Sequence, residues 1–503
     1  MKWLFGKKNK ETNVETLDSL LKELKASSDF IHFHYEQSPH GYWISYFQTL
    51  VESKILHRDI LPYVNKETLK SLEKFKEVIP IEDVEITSDV KKIKNKILQG
   101  YVFIQLHEHD NEGLIIHAAT HKNRQVSVPE VEFSVIGPKE AFVESVDTNL
   151  NLVRKRLPIP NLRIEEVRVG KLSKTRTYIM YVEGISNEEN VNTLRQRVKG
   201  IDFDTITDSS FIAQMIEDNH NSPFPQLIDT ERPDRVAAIL AEGKVAILVD
   251  GSPHAIFGPT TITEFFSAFE DYFLSWHIAS AFRLIRIFAV AFSILSTPIY
   301  VATITYHYEL IPKDLLSTLI TSRSNIPLPP FFEAVFLELT IELLREAGAR
   351  LPTKVGQTIG IVGGIVIGTA SVEAGLTSNI LLIIVALAAL ASFTTPIYRM
   401  GNTIRLIRFP FLVLGAIWGF VGIVLAFSFL IAHLLKLTSL GRPYLEPIYP
   451  PRITDWKDAI IRLPYSYLGK RPVQLQTQDT VRFSEQHAKK KRDHISRKSD
   501  IDD

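Results

Sequence analysis

The chain has 503 residues, 57 Lys and Arg against 57 Asp and Glu, a formal net charge of zero and no cysteine. That length suggests on the order of two to four domains. Balanced charge gives no global pull toward polyanions, so nucleic acid is not an expected partner. The absence of cysteine excludes disulfides, thiolate metal sites and cysteine nucleophiles.

Residues 1–27 read as a flexible charged arm with at most a short helix through TLDSLLKELKA. The first ten, MKWLFGKKNK, are basic but no apolar stretch follows, so no cleaved signal peptide is expected and the first half should stay in the cytosol. Two soluble α/β subdomains are expected next, over 28–160 and 161–270. GYWISYFQTLVESK (41–54) and RTYIMYVEGISNEENV (176–191) resemble each other. Each alternates apolar and polar residues and then passes through a turn into an amphipathic stretch, as strand followed by helix would, which suggests a duplication. KVAILVDGSPHAIFGP (244–259) reads as a hairpin turning at Asp250 and Gly251. An aromatic amphipathic helix over 271–286, suited to a membrane interface, should lead into the apolar half.

From Ile287 to Leu435 charges nearly vanish, and four runs have about the 20 apolar residues a membrane span requires. They are 287–306, 356–376, 380–398 and 409–435, an all-α polytopic bundle. A fifth segment, 331–350, is amphipathic: Phe332, Val335, Phe336, Leu339 and Leu343 against Glu338, Glu342, Arg345 and Glu346. It lies at the interface or lines an aqueous path. Arg283 and Arg286 place the start of the first span inside. If 331–350 spans, Arg399, Arg405 and Arg408 fall inside and the tail over 436–503 outside; if it does not, the assignments reverse. Four spans with a non-spanning amphipathic helix is the expected arrangement.

Glu338, Glu342 and Glu346 recur at i, i+4 and i+8, so they share a face, with Arg345 beside them. In a symmetric homo-oligomer each becomes a carboxylate ring of the kind used by cation-selective pores; the alternative is a solvated face of an interfacial helix. Glu373, toward the end of the second run, is a functional candidate by its intramembrane or near-interface position. Gly356, Gly360, Gly364 and Gly368 form a stripe that admits another backbone, within or between subunits or facing a pore, and Gly415 and Gly419 repeat the device. A bulky side chain at Gly364 should be severe.

Enzymatic signatures do not emerge. His107, His109, His117 and His121 lack the spacing of convergent metal ligands. VGKLSKT lacks the frame of a phosphate loop. DGSP is explained by a hairpin turn rather than a nucleophile elbow. No cofactor is expected. The terminal KKKR (489–492) suits a solvated tail, or contact with anionic lipid.

Four runs carry a resemblance to a known family: VIGPKEAFVESVDTNLNLVRKRL (135–157), FPQLIDTERPDRVAAILAEGKVAILVDGSP (224–253), LREAGARLPTKVGQTIGIVGGIVIGTASVEAG (344–375) and SLGRPYLEPIYP (439–450). With the spacing between them they span about residues 30–465. The chain thus resembles the A subunits of GerA-type spore germinant receptors. The resemblance implies a receptor component of the inner spore membrane rather than an enzyme. It further implies a complex with a transporter-like B subunit, held to recognise the nutrient, and a lipoprotein C subunit. The A subunit itself would oligomerise and pass ions when triggered, with its N-terminal domain on the cytosolic, core side. A non-conducting scaffold that relays signals, or a paralogue acting beside the receptors, is the alternative.

Overall fold

The computed structural model describes residues 16–35, 41–64, 71–120, 136–351 and 368–483, with positions 129, 132, 134 and 364. Its first half is one topology built twice. Strands β1 (Phe30–Tyr35), β2 (Tyr42–Phe47), β3 (Val84–Thr87), β4 (Tyr101–Gln105) and β5 (Gly113–His117) form an antiparallel sheet in the order β1-β2-β4-β5-β3. Strands β6 (Leu162–Val169), β7 (Thr175–Val182), β8 (Ile228–Thr230), β9 (Val245–Val249) and β10 (Ala255–Gly258) form another in the order β6-β7-β9-β10-β8. In each, two hairpins lie side by side and the strand between them in sequence crosses to the far edge. The two segments with matching sequence patterns contain the equivalent strands β2 and β7.

Both faces of the first sheet are covered, because successive strand residues point to opposite sides. Val102 and Ile104 pack on one face with Phe75 from helix α2 (Leu72–Val78), and Phe103 packs on the other with Ile93 and Ile97 of α3 (Val90–Ile97). The second face is completed by α1 (Leu17–Lys25), whose Leu17, Leu20, Leu21 and Leu24 are all buried. Their i, i+3, i+4, i+7 spacing makes one apolar stripe. The expected flexible arm is therefore a core helix from Leu17 onward; residues 1–15 and the first ten basic positions lie outside the described residues.

The boundary between units also moves. Helix α4 (Val146–Arg156), expected in the first unit, packs its Val146, Leu150 and Val153 with Leu162, Ile164, Val236 and Leu240 of the second. It also fastens the units together. Arg154, fully buried, meets Asp29 at 2.7 Å and Ser27 Oγ at 3.0 Å, and Asn151 donates to the Thr49 carbonyl at 2.6 Å. Helices α5 (Glu188–Lys199), α6 (Ser209–Ile216) and α7 (Pro233–Glu242) complete the second unit.

The interfacial helix expected over 271–286 is not a separate element. Two 3-10 turns, Ile262–Phe266 and Phe269–Tyr272, precede a single helix α8 (Trp276–Tyr306). No glycine or proline interrupts 276–297, so nothing ends the helix where the apolar run starts. Next come α9 (Lys313–Arg323), α10 (Pro330–Arg350), α11 (Asn379–Ser392) and α12 (Tyr398–Lys436). By length and composition α8 and α12 can cross a membrane. The run expected at 380–398 is cut to the 14 residues of α11, about 21 Å long. Pro396 disfavours helical geometry at Thr395, just beyond its end. Of 356–376, position 364 and residues 368–376 are described, with helix over 368–373.

Contacts fix the helix directions. Thr297 of α8 meets Glu338 of α10, and Tyr300 and Val301 pack with Ala334 and Leu337, so α10 runs antiparallel alongside α8. One face of α10, Glu333, Ala334, Leu337 and Glu338, is buried against the other helices, while Phe332, Phe336, Leu339 and Leu343 stay exposed. Ser293 meets Arg408, and Tyr306 Oη donates to the carbonyls of Ala416 and Ile417 at 3.0 and 2.9 Å, so the first arm of α12 runs parallel to α8.

The last run is not one traverse. Gly419 has φ +60° and ψ −139°, a break joining two helical arms over 398–418 and 420–436. Thr403 Oγ1 donates to the Pro223 carbonyl at 2.5 Å, while His433 Nε2 meets Ser222 Oγ at 2.9 Å. Thirty residues of straight helix would separate positions 403 and 433 by about 45 Å. They reach consecutive residues because α12 is a hairpin.

Beyond it, residues 437–483 pack on the second α/β unit rather than trailing as a polar tail. Tyr444 Oη donates to the Pro225 carbonyl at 2.9 Å, Arg471 Nε to the Ala241 carbonyl at 3.0 Å, and Arg482 meets Glu242 at 2.7 Å. Arg399 meets Glu217 of the same unit at 3.2 Å. Arg399, at the start of α12, and the C-terminal segment thus both contact the second α/β unit. The KKKR cluster lies outside the described residues.

Candidate functional site between the helices

The acidic stripe of α10 falls into three environments. Glu338 is 1% exposed, ion-paired with Arg408 and accepting from Thr297 Oγ1 at 3.0 Å. Arg408 also donates to Ser293 Oγ at 2.7 Å and faces the Ala388 carbonyl at 3.4 Å, so four helices converge on this pair. One turn on, Glu342 pairs with Arg345 at 2.7 Å and stands 3.9 Å from Arg405. The Arg345 guanidinium lies 5.0 Å from the centre of the Phe393 ring, an arrangement favourable to a cation. Glu346 is exposed and paired with Arg350 on its own helix.

The carboxylates therefore do not form an uncompensated row: each has a guanidinium supplied by its own chain. Glu333 extends the series in the other direction. It is fully buried, meets Arg323 at 2.9 Å and accepts from the Ser378 amide at 3.2 Å. The result is a charge-balanced string of ion pairs along α10, buried among apolar helices at Glu333 and Glu338, half-buried at Glu342 and exposed at Glu346. Glu333, Arg323, Ser293 and Thr297 escaped the sequence reading, and Arg408 entered it only as a marker of orientation. Arg408 inside LIRFPFLV is itself a signal, because a cation among apolar neighbours requires a counter-charge from another helix.

Glu373 is exposed near the end of the helical stretch over 368–373. Gly356 and Gly360 lie outside the described residues. Among the described residues, a Cβ at Gly364 would meet nothing within 4 Å, and one at Gly368 the Leu382 methyls at 3.7 and 4.0 Å. Gly415 admits a close approach: its Cβ would lie 3.4 Å from both the Pro298 carbonyl and Ile423 Cγ1. At Gly419 the left-handed φ is the requirement, and a Cβ would also fall 2.8 Å from His307 Nε2. Of the four histidines, His109 meets Asp18 at 3.3 Å, His107 lies in the turn after β4, His117 ends β5 and His121 lies outside the described residues.

Among the described residues, cavities open in and beside the α/β half. One of about 390 Å³ lies between the α/β units, lined by Asp29, Thr49, Glu166, Arg176 and Tyr178. Arg176 bridges Asp147 and Asp250 at 3.2 and 3.1 Å, and burial pushes the Tyr178 phenol up to about 12. Another, about 770 Å³, lies between α7, the turns after β10 and the C-terminal segment, with Lys244, Glu264, Tyr272 and Arg471 in its wall.

Comparison with known proteins places this architecture. The model of the Bacillus/Clostridium GerA spore germination protein family matches residues 18–474. The chain is 51% identical over 493 residues to spore germination protein GerQA of Bacillus cereus, covering 98% of each chain. It is 48% identical over 499 residues to spore germination protein GerIA of the same organism, covering 99% of this chain and 74% of that one. Among solved structures it is similar to the N-terminal domain of the A subunit of the Bacillus megaterium spore germinant receptor GerK3. That similarity has 27% identity and a TM-score of 0.36, covering 48% of this chain and 92% of that one. The chain belongs to the GerA family of spore germination proteins, as a germinant receptor A subunit.

Proposed function

We propose that this chain is the membrane-embedded A-type subunit of a nutrient germinant receptor, and that several copies assemble into an oligomer that conducts ions when the receptor is triggered. The observation that carries the reading is the string of ion pairs along α10, buried among apolar helices at Glu333 and Glu338 and half-buried at Glu342. Ionisable groups in such surroundings are costly, and where they occur they mark ion paths or moving parts. Exposed Phe332, Phe336, Leu339 and Leu343 on α10, and exposed Val413, Ile417, Val421 and Val424 on α12, supply apolar surface for lipid and for neighbouring copies.

On this reading α8, α10 and the two arms of α12 cross the inner spore membrane, and the α/β units and C-terminal segment share its cytosolic, core side. The transporter-like B subunit and the lipoprotein C subunit are its partners, and no chemical step is assigned to the chain. A second reading, a scaffold that relays signals without conducting, is favoured by one observation: Glu338 already has Arg408 as its counter-charge. Conductance of the purified full-length protein in planar bilayers separates the two. The channel reading expects single-channel events whose cation selectivity changes in Glu342→Gln; silent bilayers containing a confirmed oligomer leave the scaffold.

A further inference from the structure

The segment 447–467 carries an apolar surface that no other part of the described chain covers. Ile448, Tyr449, Ile453, Trp456 and Ile461 are exposed, Ile453 by 74% and Tyr449 by 60%. The segment is nonetheless firmly held. Arg462 donates to the carbonyls of Leu274 and Tyr272 at 3.0 and 3.1 Å and also to that of Asp271. Asp458 meets Arg283 at 3.2 Å and accepts from Tyr272 Oη at 3.0 Å, and Ser280 Oγ donates to the Arg462 carbonyl at 3.0 Å. Trp456 Nε1 donates to the Pro447 carbonyl at 3.0 Å, which satisfies the only polar atom of its side chain.

These contacts set the height of the surface. They fall on residues 271–274, Ser280 and Arg283, the last two about two turns and one turn before the uncharged run of α8 begins at Ile287. Over the same stretch α8 exposes Trp276, Ile278, Phe282 and Ile285. The outward apolar band of α8 thus starts below the run itself, and 448–461 lies beside it at the same level. Trp and Tyr mixed with aliphatics is the composition that favours a membrane–water boundary, and the exposed Lys457 suits phosphate headgroups.

We propose that residues 448–461 form an interfacial anchor, with Tyr449, Ile453, Trp456 and Ile461 seated at the boundary between lipid headgroups and acyl chains beside the start of α8. The occupant is the bilayer rather than a second copy because the surface continues the apolar band of α8. The proposal rests on the reading that α8 enters a membrane. It makes the C-terminal segment a wedge between bilayer and soluble half, pinned to α8 through Asp458 and Arg462.

Because the chain has no cysteine, single labels can be placed without background. An environment-sensitive fluorophore at Ile453→Cys, and separately at Tyr449→Cys, is read in the full chain reconstituted into phosphatidylglycerol–phosphatidylethanolamine vesicles. Ile285→Cys on α8 and Leu172→Cys in the β6–β7 turn, 74% exposed, serve as lipid and water references. The expected result is blue-shifted emission at 453 and 449, quenched strongly by nitroxide lipid and weakly by iodide, with the reverse at 172. If 285 is quenched from the lipid while 453 and 449 behave like 172, the anchor is refuted and the membrane reading stands. Labels at 453 and 449 shielded from both quenchers mean that another copy covers the surface, which also refutes it. Failure of nitroxide lipid to reach 285 overturns the membrane reading itself.

Discussion

Replacing Glu338 by Gln leaves the Arg408 guanidinium buried without its counter-charge, its remaining partners being the neutral Ser293 hydroxyl at 2.7 Å and the Ala388 carbonyl at 3.4 Å. Removing one member of a buried pair costs about 3–5 kcal/mol. The Gln amide oxygen can still accept from Thr297 and from one guanidinium N–H, so the lower end, about 3 kcal/mol, applies. Glu338→Leu also removes that acceptor and should cost about 1–3 kcal/mol more. The paired change Glu338→Leu with Arg408→Met substitutes apolar volume for both charges and should be close to neutral. Chemical denaturation of the full chain in micelles, arranged as a double-mutant cycle, measures the coupling directly. Additivity of the Leu and Met changes to within about 0.5 kcal/mol would refute the reasoning. The cycle also bears on the idea that Glu338 faces a pore, since a pore-facing carboxylate could be neutralised without loss of protein.

Gly419→Ala should open the α12 hairpin, because the position costs an L-residue about 1–3 kcal/mol and the new Cβ would strike His307. Proteolysis within 437–483 should accelerate, and an unchanged digestion pattern would count against the hairpin. Gly364→Leu meets open space among the described residues, so its unfolding should stay within about 0.5 kcal/mol of the parent. The same variant should shift native mass spectra toward monomer if the glycine stripe meets another copy, and unchanged spectra would remove that role. His32, set against Trp43 and 2.8 Å from Ser45 Oγ, is held down to about 4 by burial, aided by Lys25. Its folded value lies below the unfolded 6.5, so the unfolded chain binds the proton first as pH falls. The protection of β1 and β2 amides, corrected for intrinsic exchange, should therefore be greatest above pH about 6.5 and fall toward pH about 4. His32→Gln should remove that dependence; an identical pH profile in the variant would contradict the assignment.

Local pattern carried much of the soluble half. The alternation in GYWISYF and RTYIMYV marks β2 and β7, and the Asp250–Gly251 turn joins β9 to β10 because Gly251, at φ +89°, accepts a backbone shape other residues resist. The crossing of β3 and β8 to the sheet edge depends on long-range pairing and left no local mark. In the helical half, hydropathy identified α8 and α12 but averaged over the break. A single Gly419 within apolar residues reads as a packing glycine, and only the convergence of Thr403 and His433 on residues 222–223 exposes the turn. Glu338 was legible as an unusual acid, yet its partner lies 70 residues along the chain, beyond the reach of helical periodicity. The burial of α10 was hidden for the same reason: its charges look solvated until their arginines are known.

The hairpin at Gly419 has a mechanical consequence. The helices leave the soluble half at Trp276 and come back to it at Lys436, so the helical half is a loop tethered at both ends to one body. A rotation of the second α/β unit is then delivered as a couple, pulling on α8 through Arg283 and on the last arm of α12 through His433 at the same moment. Loss of the Ser222–His433 contact would leave the hold at Arg283 and weaken the one on the last arm of α12, turning a two-handed grip toward a single pivot.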